Sequence, residues 1–126
     1  MKTYKVIVDE YGAIRWYNEA GQLHREGGPA IEYADGTKVW YLNGQYHRED
    51  GPAIEWADGS KFWYLNGQLH REDGPAIKWV GGNKSWYLNG QKLTEKEFNK
   101  RTQPHREMTV AQLEQALGYK IKIVKG

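Results

Sequence analysis

A chain of 126 residues has room for one domain, or for one repeat array with a small appendage. Its 18 Lys and Arg against 16 Asp and Glu leave a net charge of +2, too little to argue for a nucleic-acid partner. The absence of cysteine excludes disulfides and thiolate metal sites and fits a reducing compartment. No run of about 18 apolar residues occurs, so no transmembrane helix is expected, and the apolar stretch near Met1 is too short for a signal peptide. The protein is expected to stay in the cytoplasm where it is made.

Internal repetition organises the first three quarters of the chain. Val6-Ile7-Val8-Asp9-Glu10-Tyr11-Gly12 opens it as half a unit, and whole units follow at 16–39, 40–62 and 63–85, with a partial copy at 86–91. The second and third units have 23 residues each, and the first carries one extra residue in its opening turn. Periods of this size mark stacked supersecondary units. Residues 1–91 thus read as a β-repeat array and 92–126 as a cap.

Each unit reads as two strands and two tight turns. Asn66-Gly67 lies between Trp63-Tyr64-Leu65 and Gln68-Leu69-His70. Asn-Gly between strand formers is the strongest short hairpin signal, because both residues of the turn need positive φ. Asp58-Gly59 predicts a second two-residue turn, and Asp73-Gly74-Pro75 a third bend with its proline at a strand start or edge. No helical stretch separates the strands, so neighbours should pair antiparallel. The fold class expected is mainly β: a single-layer antiparallel meander with a small C-terminal α/β cap.

Two-residue turns fix a register. Leu65 should pair with Gln68, Trp63 with His70, Trp56 with Lys61 and Ile54 with Trp63. One face then carries Ile54, Trp56, Trp63, Leu65 and His70. The other carries Ala53, Glu55, Phe62, Tyr64, Leu69 and Arg71. A three-residue loop with a bulge in place of a two-residue turn would shift one strand and swap these faces.

After Gln91 the period breaks. Thr94 and Glu97 form a capping box for a short helix reaching about Arg101, anchored by Phe98 and broken at Thr102-Gln103-Pro104. Thr109 caps a second helix, Val110 to Leu117, with Val110, Leu113 and Leu117 on one stripe and Gly118 as its C-cap. Residues 119–124 alternate polar and apolar, as in a terminal strand. Residues 92–126 carry a net +4 and residues 1–91 a net −2. Lys120, Lys122 and Lys125 are read first as a solvated edge.

The units resemble MORN repeats. That family repeats every 23 residues with a Tyr/Trp-x-x-Asn-Gly-x-x-His-Gly pattern and a later Ala-Asp-Gly. Trp40, Asn43, Gly44, His47, Ala57, Asp58 and Gly59 match it, as do their equivalents one unit on. This chain departs from the pattern by placing Arg-Glu-Asp between the His and the next Gly. The His-Arg-Glu-Asp-Gly-Pro-Ala variant is similar to repeat proteins of bacteriophages and to the MORN-like antitoxins of bacteria. The resemblance spans residues 6–91 and implies a β-meander that serves as an adaptor.

His-Arg-Glu-Asp is the one constellation that invites a catalytic reading, at His24-Arg25-Glu26, His47-Arg48-Glu49-Asp50 and His70-Arg71-Glu72-Asp73, with His105-Arg106-Glu107 between the helices. Three arguments favour a structural role. The motif recurs in every unit, whereas chemistry needs one site. Adjacent strand residues point to opposite faces, so His70 and Arg71 should not converge. Equivalent histidines lie two strands apart, about 9–10 Å, against about 2.0–2.1 Å from a zinc ion to each of its ligands. The histidines are expected to pack on Trp and to bond across the turn, and Arg–Glu and Arg–Asp pairs to form a charged ladder. There is no phosphate-cradling loop, no Gly-x-Ser-x-Gly elbow and no calcium loop. No catalytic, cofactor-binding or metal-binding residue is assigned.

A single sheet with two short helices leaves part of an aromatic face uncovered, and such patches mark interaction sites. The function expected is a non-enzymatic protein-binding module. The phage resemblance implies an inhibitor of a bacterial defence system such as a CRISPR nuclease complex, acting in the host cytoplasm. The alternatives are a MORN-like membrane or lipid adaptor and an antitoxin-like immunity protein. A homodimer through an exposed edge strand or the apolar face is a further expectation. Nucleic-acid and membrane partners are disfavoured by the small net charge and the acidic array. The residues expected to bind are Trp40, Trp63, Trp86, Tyr41, Tyr64 and Tyr87, with Arg48 and Arg71 beside them.

Overall fold

A computed structural model describes residues 4–103 and 108–120. Within them thirteen strands precede two helices: β1 (Lys5–Val8), β2 (Ile14–Tyr17), β3 (Ile31–Glu32), β4 (Lys38–Val39), β5 (Tyr41–Leu42), β6 (Gln45–Tyr46), β7 (Ile54–Glu55), β8 (Lys61–Phe62), β9 (Tyr64–Leu65), β10 (Gln68–Leu69), β11 (Ile77–Lys78), β12 (Lys84–Leu88), β13 (Gln91–Leu93), α1 (Glu95–Thr102) and α2 (Val110–Leu117). Nine strands form one open antiparallel sheet in the order β1-β2-β3-β4-β7-β8-β11-β12-β13. The hairpins β5-β6 and β9-β10 stand off it.

The Asn-Gly turns form as expected. Asn43 and Gly44 have φ of 49° and 81°, as a mirror-image two-residue turn requires, and Leu42 pairs with Gln45. Asn66-Gly67 repeats this, with Leu65 opposite Gln68. Trp40 and Trp63 are where each unit leaves the long sheet and enters its hairpin. Trp63 donates its N–H to Ala76 O (2.7 Å), and its carbonyl accepts from His70 N–H (3.0 Å).

The Asp-Gly turn is one residue longer than expected. Glu55 pairs with Lys61 and Ile54 with Phe62. Trp56 N–H bonds to Ser60 O (3.0 Å), so Ala57, Asp58 and Gly59 make a three-residue loop with Gly59 at φ 96°. The Asp58 carboxylate accepts from Ser60 N–H (2.8 Å) and holds that loop. Trp56 therefore does not pair with Lys61, nor Ile54 with Trp63. The slip exchanges the faces of β8 and its continuation: Ile54 and Phe62 lie opposite each other on the core side, and Trp63 goes to the other side.

The core is thin. Ile31, Val39 and Ile54 are buried, with Leu23, Tyr41, Tyr46, Phe62 and Tyr64 packed against them. Ala30, Ala53 and Ala76, each next to one of the inward Ile residues and pointing the other way, are fully buried.

Three sets of bonds lock unit to unit. His24 Nδ1 accepts from Asn43 N–H (2.8 Å), His47 Nδ1 from Asn66 N–H (2.9 Å), and His70 Nδ1 from Asn89 N–H (2.9 Å). The buried hydroxyls of Thr37 and Ser60 accept from Ala57 N–H (3.1 Å) and Val80 N–H (3.0 Å), one unit further on. Arg48 N–H bonds to Tyr64 O (3.1 Å) and Arg71 N–H to Tyr87 O (3.2 Å).

The cap follows the sequence reading. Thr94 and Glu97 make the capping box of α1, which packs on β12 and β13 with Phe98 buried. The α2 helix has the expected bounds, with Gly118 in the left-handed conformation after it. Val110, Leu113 and Leu117 stay largely exposed. The expected terminal strand beyond Lys120, the basic residues Lys122 and Lys125, and His105-Arg106-Glu107 lie outside the described residues.

Candidate protein-binding faces

On the side facing away from the core, each unit builds the same clamp. The guanidinium of Arg48 lies 3.8 Å from the ring centroid of Trp40, Arg71 3.9 Å from Trp63, and Arg25 4.0 Å from Trp16. Behind each guanidinium runs a glycine. A Cβ on Gly51 would sit 3.0 Å from Arg48 Cζ, and one on Gly74 3.0 Å from Arg71 Cζ. Neither glycine needs its conformational freedom; both are small so that Arg can lie flat between backbone and indole. The guanidinium then donates to a carbonyl, Arg48 to Pro52 (3.1 Å) and Arg71 to Pro75 (3.1 Å). It also donates to a carboxylate, Arg48 to Asp50 (2.9 Å) and Arg71 to Asp73 (2.8 Å), and Arg48 reaches Glu55 (3.2 Å). The Arg48 guanidinium holds the Asp50 carboxyl below its ordinary value.

These contacts involve four of the residues expected to bind. Trp40 and Trp63 are half-buried under their own arginines, and Arg48 and Arg71 spend their Nε and Nη1 donors within the unit. The expected separation of His70 from Arg71 does not occur. Strand β10 ends at Leu69, the chain bends, and both residues line one groove of about 680 Å³ with Trp63 and Leu65. The preceding unit has an equivalent groove of about 610 Å³ over Trp40. The histidine ring has each Nδ1 engaged, and Nε2 lies 3.5 Å from Glu49 in one unit and 3.5 Å from Glu72 in the next. The bond across the turn is as expected, though it reaches the turn of the following unit.

The tyrosines lie on the core side. Tyr41, Tyr46 and Tyr64 form a ladder with ring centroids 4.7 and 4.8 Å apart. Burial pushes the Tyr41 and Tyr64 phenols above their ordinary value, with Tyr46 adding to both. Tyr87 is half-buried on β12, and Trp86 is half-buried opposite Leu93 at the cap. The eight expected residues thus divide between two sides of the sheet, and most serve the fold.

The exposed aromatic surface lies elsewhere. Tyr33, Trp56 and Trp79 occupy one position of three successive units, the residue just before each three-residue turn. They are 39 %, 42 % and 46 % exposed, and the neighbouring Val80 is 65 % exposed. Phe62 joins two of them edge-to-face, at 5.7 Å from Trp56 and 5.0 Å from Trp79, and connects the stripe to the core. Arg15 lies 5.7 Å from the Tyr33 ring. The Thr37 and Ser60 bonds described above fix the turns beside this stripe. Sequence reasoning put Trp56 on the side of Ile54, where it is, but paired it with Lys61 in place of Ser60; the recurrence of a polar residue after Asp-Gly or Gly-Gly, at Thr37, Ser60 and Asn83, was the available signal.

A charged row crosses the other side. Glu32, Lys38, Glu55, Lys61, Lys78 and Lys84 stand opposite one another in turn. The signs alternate until Lys78, which occupies the position held by Glu32 and Glu55 in earlier units. Three lysines then lie side by side. Among the described residues, no group of three or more His, Asp or Glu side chains is placed to hold a metal ion. No helix described is long and apolar enough to cross a membrane. No family model, curated protein or solved structure matches this chain.

Proposed function

We propose that the chain is a non-enzymatic protein-binding repeat module whose contact face is the stripe Tyr33, Trp56, Trp79 and Val80. The observation that carries this reading is the placement of large aromatic side chains, well exposed, at one position of three consecutive units. Tyr and Trp are the residues that dominate the energetics of protein interfaces. Equivalent positions lie two strands apart, about 9–10 Å, which presents a regular line of rings. The bonds from Thr37 and Ser60 restrain the backbone beside those rings, so little conformational entropy is lost on binding.

The narrower reading, an inhibitor of a bacterial defence complex such as a CRISPR nuclease, rests on the likeness of the units to phage repeat proteins. Affinity capture from bacterial lysate tests the broader reading. The wild-type chain should retain one partner in stoichiometric amount, and a Trp56→Ser, Trp79→Ser variant of unchanged urea midpoint should lose it. Retention of that partner by the variant refutes the assignment of the stripe. Cleavage by a purified nuclease complex, unaffected by an excess of the wild-type chain, removes the narrower reading.

A further inference from the structure

We propose that two copies of this chain join edge to edge through β1 in a two-fold register that sets Val6 opposite Val8. The inference concerns a different part of the molecule from the aromatic stripe and stands or falls independently of it. The nine-stranded sheet ends in β1 on one side and β13 on the other. The β13 edge carries α1, with Leu93 and Phe98 both buried. All four residues of β1 are exposed, Val6 at 45 %, Ile7 at 41 % and Val8 at 64 %. An open edge is ordinarily guarded by proline, a bulge or charge, and β1 carries one such charge, Lys5 at its start, followed by three apolar residues. Here β1 runs opposite β2 in unbroken register from Lys5↔Tyr17 to Val8↔Ile14, with no proline.

The backbone fixes which groups are free. Trp16 donates its N–H to Ala30 O (2.8 Å), and its carbonyl accepts from His24 N–H (3.0 Å), both away from β1. Val6, opposite Trp16, therefore exchanges no bond with it. Antiparallel pairs alternate between bonded and non-bonded, so Lys5 and Ile7 bond to β2 while Val6 and Val8 turn N–H and C=O outward. Asp9 N–H, bonded to Ala13 O (3.0 Å), continues the same alternation.

A partner strand must offer outward groups at the same spacing, and a second β1 does. With Val6 opposite the second copy's Val8, each such pair exchanges two backbone bonds, and the two-fold axis passes at Ile7. On one side of the joined sheet, Val6 and Val8 meet their counterparts. On the other, Ile7 meets Ile7, and Lys5 stands opposite the second copy's Asp9, whose carboxylate already accepts from Arg15 (2.7 Å) and from the Tyr11 and Ala13 N–H groups, so that Lys5 would add a second cation to that carboxylate. The alternative with Val8 opposite Val8 would set the Asp9 carboxylate against Ile7. The alternative with Val6 opposite Val6 would leave Lys5 facing Ile7. Only the chosen register sets apolar side chains against apolar ones throughout and keeps both Lys5 and Asp9 away from Ile7. An isologous contact of this kind closes as a dimer and does not propagate, because it consumes the open edge.

The test is molar mass by light scattering over a concentration series, with amide exchange of Val6 and Val8. The wild-type chain should reach twice the monomer mass, with both amides protected increasingly as concentration rises. Val8→Pro removes an outward N–H without touching a β1–β2 bond and should raise the dimer dissociation constant at least tenfold. Lys5→Glu, which sets like charges opposite and leaves the backbone alone, should do the same if the proline variant misfolds. Both variants should keep the wild-type spectrum as monomers. A wild-type monomer at every concentration overturns the proposal. So does a dimer whose Val6 and Val8 amides exchange freely, or one that survives Lys5→Glu unchanged.

Discussion

Replacing Gly51 by alanine tests the arginine clamp with a single methyl group. The added Cβ would stand 3.0 Å from Arg48 Cζ, 3.2 Å from Nε and 3.3 Å from one terminal nitrogen, so the guanidinium, held between backbone and indole, must give by a few tenths of an ångström. Its stacking on Trp40 at 3.8 Å is the first loss, about 1–2 kcal/mol for a partly desolvated cation on an aromatic face. The bond to Pro52 O is the second, about 1 kcal/mol. Gly51→Ala should therefore destabilise the fold, by an amount that reaches about 2–3 kcal/mol only where both contacts are lost outright. Gly81→Ala is the control. No atom lies within 4 Å of its Cβ and its φ is not positive, so it should be neutral or slightly stabilising. Urea unfolding followed by tryptophan fluorescence measures both. In an Arg48→Ala background the cost of Gly51→Ala should vanish, and that double-mutant cycle isolates the contact. Equal midpoints for the two alanine variants, or an undiminished cost without Arg48, would refute the clamp.

Four further outcomes are expected. His47→Ala removes the acceptor for Asn66 N–H and should cost about 1–2 kcal/mol in urea unfolding, with faster amide exchange at Asn66 and not at Asn43. Ser60→Ala should cost about 1 kcal/mol by denaturant titration and speed exchange at Val80 while leaving Ala57, held by Thr37, unchanged. Lys78→Glu restores the alternation of the charged row and should raise stability by up to about 1 kcal/mol at low salt, an increment that added salt erodes in the same titration. Stability against pH should fall at both ends. Asp9, Asp50 and Glu97 titrate below their ordinary values when folded, so their contribution is full above the unfolded carboxylate value and is lost as pH drops through the lowered ones. Tyr41 and Tyr64 titrate above theirs, so their contribution holds below the unfolded phenol value and is lost as pH rises past it. Urea midpoints across pH measure both limbs.

The repeat period, the antiparallel meander, the Asn-Gly hairpins and both capped helices were legible because each depends on local chemistry. Asn43 and Gly44 must take positive φ in a two-residue turn, and Thr94 with Glu97 can satisfy a helix start unaided. The Asp58-Gly59 turn was ambiguous for the opposite reason. Asp-Gly serves a two-residue turn or ends a three-residue loop, and Asp58 decides it by bonding Ser60 N–H. That single residue of slip moved Trp63 off the core side and left Trp56 beside the exposed turn. The clamp was hidden because Trp63 and Arg71 belong to different segments, and nothing in the spacing says that the chain bends after Leu69. The histidine bonds were half legible: repetition pointed to structure, but the partner Asn66 lies 19 residues beyond His47.

In-cell photo-cross-linking addresses the binding face most directly. A cross-linking residue in place of Val80, which is exposed at the end of the aromatic stripe, should trap one bacterial protein in stoichiometric yield. The same residue in place of Glu49, exposed on the groove side, should trap none. Cross-links from position 49 and none from position 80 would contradict the account.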